Sequence, residues 1–143
     1  AHTIAGPNID PRQVARRINT WVHDSLKSRI TFGVPSALQV LDSRVGDCNE
    51  HTQLYVALAR SLGLPARIVA GLVYVDGKFY YHAWPEVYLH DWVGVDPTFG
   101  QFPADAAHLR FVIGGLNRQT ELLRLMGNLK IDVVSVNGTV ANR

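Results

Sequence analysis

The chain has 143 residues, 47% hydrophobic and 18% charged, the balance of a folded globular protein and not of a disordered one. Fourteen cations against twelve anions leave a net charge of +2, and the arginines are dispersed, so nothing marks a nucleic-acid partner. A single cysteine, Cys48, excludes internal disulfides and multi-cysteine zinc folds, and no apolar run approaches the ~20 residues that span a bilayer.

Residues 1–143 read as one domain, with no repeat or low-complexity linker, large enough to bury roughly two-thirds of its unfolded surface. The start, Ala1 to Pro7, lacks the basic and apolar regions of a signal peptide and suits a processed protein or a domain cut from a longer one. Asp10, Pro11 and Gln13 are helix-start signals. Val14, Ile18, Trp21, Val22 and Leu26 then recur at helical spacing. A short helix begins at Ser36, with Gln39 completing a capping box and Leu38, Val40 and Leu41 as apolar contacts.

The third helix runs from about Cys48 to Leu62, preceded by Gly46-Asp47 and stopped by Gly63 and Pro65. Leu54 to Ala59 are apolar on nearly every side, the mark of a buried central helix. The period then changes. Ala66–Val75 and Lys78–Leu89 read as strands of a hairpin around Asp76-Gly77. A tight turn sets Val75 opposite Lys78, Val73 opposite Tyr80, Gly71 opposite His82, Val69 opposite Trp84 and Arg67 opposite Glu86. Arg67 and Glu86 are then a complementary cross-strand pair, and Gly71 leaves room beside the His82 ring. Further strands are expected at Trp92–Asp96, Leu109–Ile113 and Leu129–Val136, with a short helix around Gln119–Met126. Helices first, then a mainly antiparallel sheet, is an α+β arrangement.

Cys48 stands at a helix start, where negative charge is stabilised. An ordinary thiol with a pKa of ~8.5 is roughly 3% thiolate at pH 7. Making most of it thiolate takes ~2.7 kcal/mol, while a helix terminus supplies about 0.3–1, or ~2 in a favourable buried site. A second partner, a histidine cation, is therefore expected. The polar flank Asn49-Glu50-His51 places the thiol at a surface or cleft rather than in the core. His82, among Tyr80, Tyr81 and Trp84, is the best-placed base of the six histidines, and Asp96 on the next strand can hold its far nitrogen. For each residue alone a plain alternative stands: a buried small cysteine, a packed histidine, a turn-capping aspartate before Pro97.

Four blocks carry a resemblance: Gly46-Asp47-Cys48-Asn49-Glu50-His51-Thr52, Leu58 through Arg67, His82-Ala83-Trp84-Pro85-Glu86-Val87-Tyr88, and Trp92-Val93-Gly94-Val95-Asp96-Pro97-Thr98-Phe99-Gly100. Over about residues 10–137 the chain resembles the bacterial transglutaminase-like domains. The resemblance implies the papain-like fold and a catalytic triad of Cys48, His82 and Asp96. Pro85 departs from the usual residue after His-Ala-Trp. A two-residue turn at His90-Asp91 would place Asp96 opposite Pro85, on the wrong face, so a longer loop or a bulge at Pro85 is expected.

The Cys48 N–H is a natural oxyanion donor, and Trp21 or Gln39 is a candidate second donor, although core packing and helix capping are the plainer roles for those two. Cys48, His51, His82 and Asp96 could alternatively gather as a zinc site, against which the resemblance assigns the cysteine to catalysis. The leading function is acyl transfer or hydrolysis on a protein or peptide substrate through a thioester, without a cofactor. Compact size tilts the choice toward hydrolysis. The alternative is a non-catalytic binding domain that keeps the fold. The resemblance also suggests a bacterial cell-envelope or periplasmic setting, and nothing in the residues indicates the oligomeric state.

Overall fold

In the computed structural model, which describes residues 1–7, 10–30, 35–114, 118, 122, 124, 128–131, 135–136 and 139–140, the capping signals act where the sequence places them. A short helix α1 (His2–Ala5), not anticipated, precedes α2 (Pro11–Ser25). The Asp10 carboxylate accepts the Arg12 N–H at 3.0 Å, and Val14, Ala15, Ile18 and Val22 are buried along the helix. Helix α3 (Ala37–Ser43) starts with a full capping box. The Gln39 N–H donates to Ser36 Oγ at 3.3 Å, and the Ser36 N–H donates to Gln39 Oε1 at 2.7 Å. Val40 is buried as expected, but Leu38 is 73% exposed. It lies about 200° around the helix from Val40, and so short an element turns only one side inward.

Helix α4 (Cys48–Ser61) begins with a second reciprocal box. Asp47 Oδ1 accepts the Asn49 N–H at 2.8 Å, and Glu50 Oε2 accepts the Asp47 N–H at 2.8 Å. Its Leu54, Tyr55, Val56, Leu58 and Ala59 are buried, and it touches α2, α3 and two strands of the main sheet, the central position its composition predicts. Two very short parallel strands, β1 (Lys27–Ser28) and β2 (Val45–Gly46), tie the end of α2 to the start of α4. A methyl at Gly46 would lie 2.2 Å from Glu50 Cβ, so the closeness of this approach explains the glycine of the Gly-Asp-Cys block.

The main sheet contains β3 (Ala66–Val75), β4 (Lys78–Tyr88), β5 (Trp92–Gly94) and β6 (His108–Ile113), in the order β5-β4-β3-β6 with every pair antiparallel. Asp76 and Gly77 both have positive φ, 48° and 82°, as a tight hairpin turn requires, and all five expected β3–β4 pairs form. The role expected for Gly71 is corrected. A methyl there would lie 1.9 Å from the Leu109 carbonyl oxygen, at the point where the β3–β6 register slips. The glycine therefore admits the β6 backbone.

Toward the C-terminus, Arg118, Leu122 and Arg124 are helical, and the other residues of the expected helix over 119–126 lie outside the described residues. Leu129, Lys130 and Ile131 are not in a strand, contrary to expectation, whereas β7 (Ser135–Val136) pairs with β8 (Thr139–Val140); residues 132–134 of the expected strand lie outside the described residues.

The larger core cluster joins Ile18, Val22, Val40, Leu54, Tyr55, Val87 and Val95. Each such aliphatic side chain contributes roughly 1.5–3 kcal/mol by burial. A second cluster joins Ala70, Ala83, Val112 and Leu122, with Cys48 and Tyr81 packed against it. Among the described residues no helix is long and apolar enough to cross a membrane.

Candidate active site

Cys48 is the first residue of α4, so its backbone N–H has no acceptor within the helix. The side chain is half-buried, and the Ala83 N–H, from the residue next to His82, donates to the sulfur. Burial pushes the Cys48 thiol up from its ordinary 9.0 to about 12; the Ala83 N–H opposes this, and the charges of Asp47, Asp96 and Glu50 add to it. This reverses the expected acidity. The helix start is expected to favour the thiolate, but burial outweighs it, and the capping box that forms that start adds two carboxylates at the same place.

The polar flank is also less exposed than expected. Glu50, His51 and Thr52 are all buried, because each finds a partner. Glu50 accepts the Asp47 N–H, His51 Nδ1 lies 2.7 Å from the Asp47 carbonyl oxygen, and Thr52 Oγ1 donates to the Ala83 carbonyl at 3.0 Å. Burial lowers the His51 pKa against the contrary pull of that carbonyl, which favours a neutral ring.

His82 lies on β4, and its ring is held by stacking on Phe99 and Trp84, with centroids 5.0 and 6.0 Å away. Its Nε2–H donates to Asp96 Oδ2 at 2.6 Å, within a wholly buried carboxylate. The β4–β5 connection is three residues, Leu89 to Asp91, giving the pairs Tyr88–Trp92, Val87–Val93 and Glu86–Gly94. One more ladder bond follows, from the Val95 N–H to the Pro85 carbonyl at 3.0 Å. Proline has no N–H to return, and the chain leaves the sheet there. In this register Asp96 shares the face of His82, through the longer loop and without a bulge at Pro85.

Asp96 is fixed from every side. Its backbone exchanges hydrogen bonds with Gln101 at 2.9 and 2.8 Å, and its Oδ1 accepts the Thr98 and Phe99 N–H groups at 2.7 and 3.1 Å. Burial alone would raise its pKa, but the hydrogen bonds from His108 and His82 outweigh burial and hold the carboxyl well below the usual range.

His108, not singled out in the sequence, completes the group: its Nε2 donates to the same Asp96 Oδ2 at 2.9 Å, and its Nδ1 lies 3.0 Å from Asp105 Oδ1. Its one sequence signal is a histidine just before the expected strand Leu109–Ile113, three residues after an aspartate. Burial works against the charged ring, but Asp96 first and then Asp105 raise the His108 pKa.

The zinc grouping of Cys48, His51, His82 and Asp96 does not assemble. Among the described residues the ligand-type atoms that gather, within 4.8 Å of one another, are those of His82, Asp96 and His108. Both ring Nε2 atoms lie at hydrogen-bonding distance from Asp96 Oδ2, 2.6 and 2.9 Å.

Neither candidate second oxyanion donor is free of other work. Trp21 packs on the main core beneath the Arg44 guanidinium, 4.7 Å from the ring centroid, and Gln39 is an exposed cap. Arg67 binds Glu86 at 2.7 Å as expected, and Arg110 binds the other oxygen at 2.6 Å.

The family model for the transglutaminase-like superfamily matches residues 1–97, which include Cys48, His82 and Asp96. No curated protein matches. Among solved structures, a proposed cysteine protease from Cytophaga hutchinsonii is similar over 83% of this chain and 41% of its own, with a TM-score of 0.68 at 22% identity. The periplasmic domain of TgpA from Pseudomonas aeruginosa, bound to ethylmercury, is similar over 71% of this chain and 42% of its own, at 0.54 and 23%. A TGase is similar over 80% of this chain and 32% of its own, at 0.54 and 17%. The chain thus spans less than half the length of each, and the likeness is one of fold. The family match covers 97 of 143 residues, and the chain belongs to the transglutaminase-like superfamily.

Proposed function

We infer that the chain carries a cysteine-dependent acyl-transfer or hydrolytic site for amide bonds of peptides or proteins, with Cys48 as nucleophile, His82 as acid and base, and Asp96 as its orienting carboxylate. The observation that carries this reading is the buried 2.6 Å bond between His82 Nε2 and Asp96 Oδ2, one residue from the Ala83 N–H that meets the Cys48 sulfur. With its proton on Nε2, the neutral His82 ring keeps a lone pair on Nδ1 for the thiol proton.

Because the resting thiol is neutral, the reading has proton transfer accompany attack. The thiol proton passes to His82 as sulfur bonds the carbonyl carbon, and the Cys48 N–H faces the developing oxyanion. The His82 cation then protonates the departing amine, leaving a thioester. Water or an amine attacks next, giving up its proton to His82 and restoring the thiol. Water makes the enzyme a protease or amidase; an amine makes it a transglutaminase.

Peptide libraries with and without an added amine test the reading, with products and a Cys48 acyl adduct followed by mass spectrometry. Turnover is expected in the wild type and is lost by at least ~10³-fold in Cys48→Ala and His82→Ala. Turnover that survives Cys48→Ala refutes it. The neutral, half-buried thiol favours a second reading, a binding domain that keeps the fold. Peptide binding with neither turnover nor adduct supports that one.

A further inference from the structure

One oxygen of Asp96 serves two rings. Oδ2 accepts from His82 Nε2 at 2.6 Å and from His108 Nε2 at 2.9 Å. The other nitrogen of His108 also faces acceptors, Asp105 Oδ1 at 3.0 Å and the Asp105 carbonyl oxygen at 3.2 Å. A ring with acceptors at both nitrogens satisfies them only as the doubly protonated cation.

The side chain of His108 is only 4% exposed, with the Trp84 ring edge-on at 5.1 Å, so its charge acts on its neighbours with little screening by water. Among the described residues, the ionisable groups facing it are His82 from β4, Asp96 two residues beyond β5, and Asp105 from the loop before β6. Arg110, farther along β6, is committed to Glu86, which also binds Arg67.

A second ring on the same oxygen adds a donor that holds the carboxylate in place. We propose that His108 is a positioning residue of the active site, a histidine cation that shares Asp96 with His82 and fixes the carboxylate that orients the His82 ring. This rests on the cysteine-enzyme reading above.

Ring ¹⁵N NMR of the histidines tests it in the full chain. In the wild type, His108 carries protons on both nitrogens at pH 7 and His82 is the Nε2–H tautomer. His108→Gln keeps an N–H for Asp96 but removes the charge 5.6 Å from the His82 ring. The His82 Nε2–H proton held on Asp96 then exchanges with solvent roughly tenfold faster or more. A purely structural His108 would lower Tm without speeding that exchange.

Asp105→Asn, at a half-exposed side chain, is the gentler variant. It lowers the His108 midpoint and should speed the same exchange. A neutral His108 at pH 7 overturns the proposal, as does unchanged exchange of the His82 Nε2–H in whichever of the two variants folds. Ring NMR needs no turnover, so failure of the enzyme reading shows separately, as activity that survives Cys48→Ala.

Discussion

The thiol of Cys48 gives the sharpest test of the site's electrostatics, because the chain has no other cysteine to confuse the readout. The rise from 9.0 to about 12 lowers the thiolate fraction at neutral pH by about 1000-fold relative to an ordinary cysteine. A more basic thiolate is also a better nucleophile. With a Brønsted slope of ~0.4–0.5, that recovers about 20- to 30-fold. The expected net effect is alkylation by iodoacetamide roughly 40-fold slower than that of a cysteine in a short unstructured peptide at pH 7. Intact-mass kinetics across pH 6–10 measure it directly. Asp47→Asn is the matched perturbation: asparagine caps a helix about as well as aspartate, so α4 is kept while a charge that raises the thiol is removed. Alkylation should accelerate several-fold. A wild-type thiol that reacts at pH 7 as fast as the free peptide, with no response to Asp47→Asn, would refute the account and mean that a thiolate–imidazolium pair already exists at rest.

Gly71→Ala drives a methyl into the Leu109 carbonyl and should cost about 2 kcal/mol or more, read by urea unfolding and by faster amide exchange along β6. Glu86→Ala leaves Arg67 and Arg110 without their shared carboxylate; since both arginines are partly exposed, the expected loss is about 2 kcal/mol rather than the full cost of a broken buried pair. Asp96 has a lowered folded pKa, so its contribution is present above the unfolded value of ~3.9 and is lost as pH falls through the lower folded value; acid should therefore destabilise the wild type more steeply than Asp96→Asn. His108 has the opposite sign, its contribution being complete below ~6.5 and lost as pH rises through its raised folded value, a slope that thermal melts should show flattened in His108→Gln.

What the sequence discloses here is what is decided locally. The capping box at Ser36, the turn at Asp76-Gly77 and the β3–β4 register depend on neighbours within a few residues, and each forms as read. The meeting of His82 and Asp96, implied by the resemblance, required a longer loop at His90-Asp91 or a bulge at Pro85, and the three-residue connection supplies the first of these.

His108 was not visible, since its contact with Asp96 depends on how the chain returns to pair β6 with β3. Glu50 and His51 are more buried than expected for a related reason: polar composition suggests water, but each group here has a protein partner. The thiol's perturbation has the opposite sign to that expected chiefly because the sulfur is buried, and the charges of Asp47, Asp96 and Glu50 add to the rise.

The connection of Leu89, His90 and Asp91 has a consequence for how this architecture tolerates change. Side chains alternate along a strand, so inserting or deleting a single residue there would turn the carboxylate of Asp96 away from its imidazole, unless a compensating bulge arose. Two inserted residues would restore the alignment. Length variation at this hairpin is thus governed by odd and even, and a one-residue indel at an exposed corner can part His82 from Asp96 without touching either.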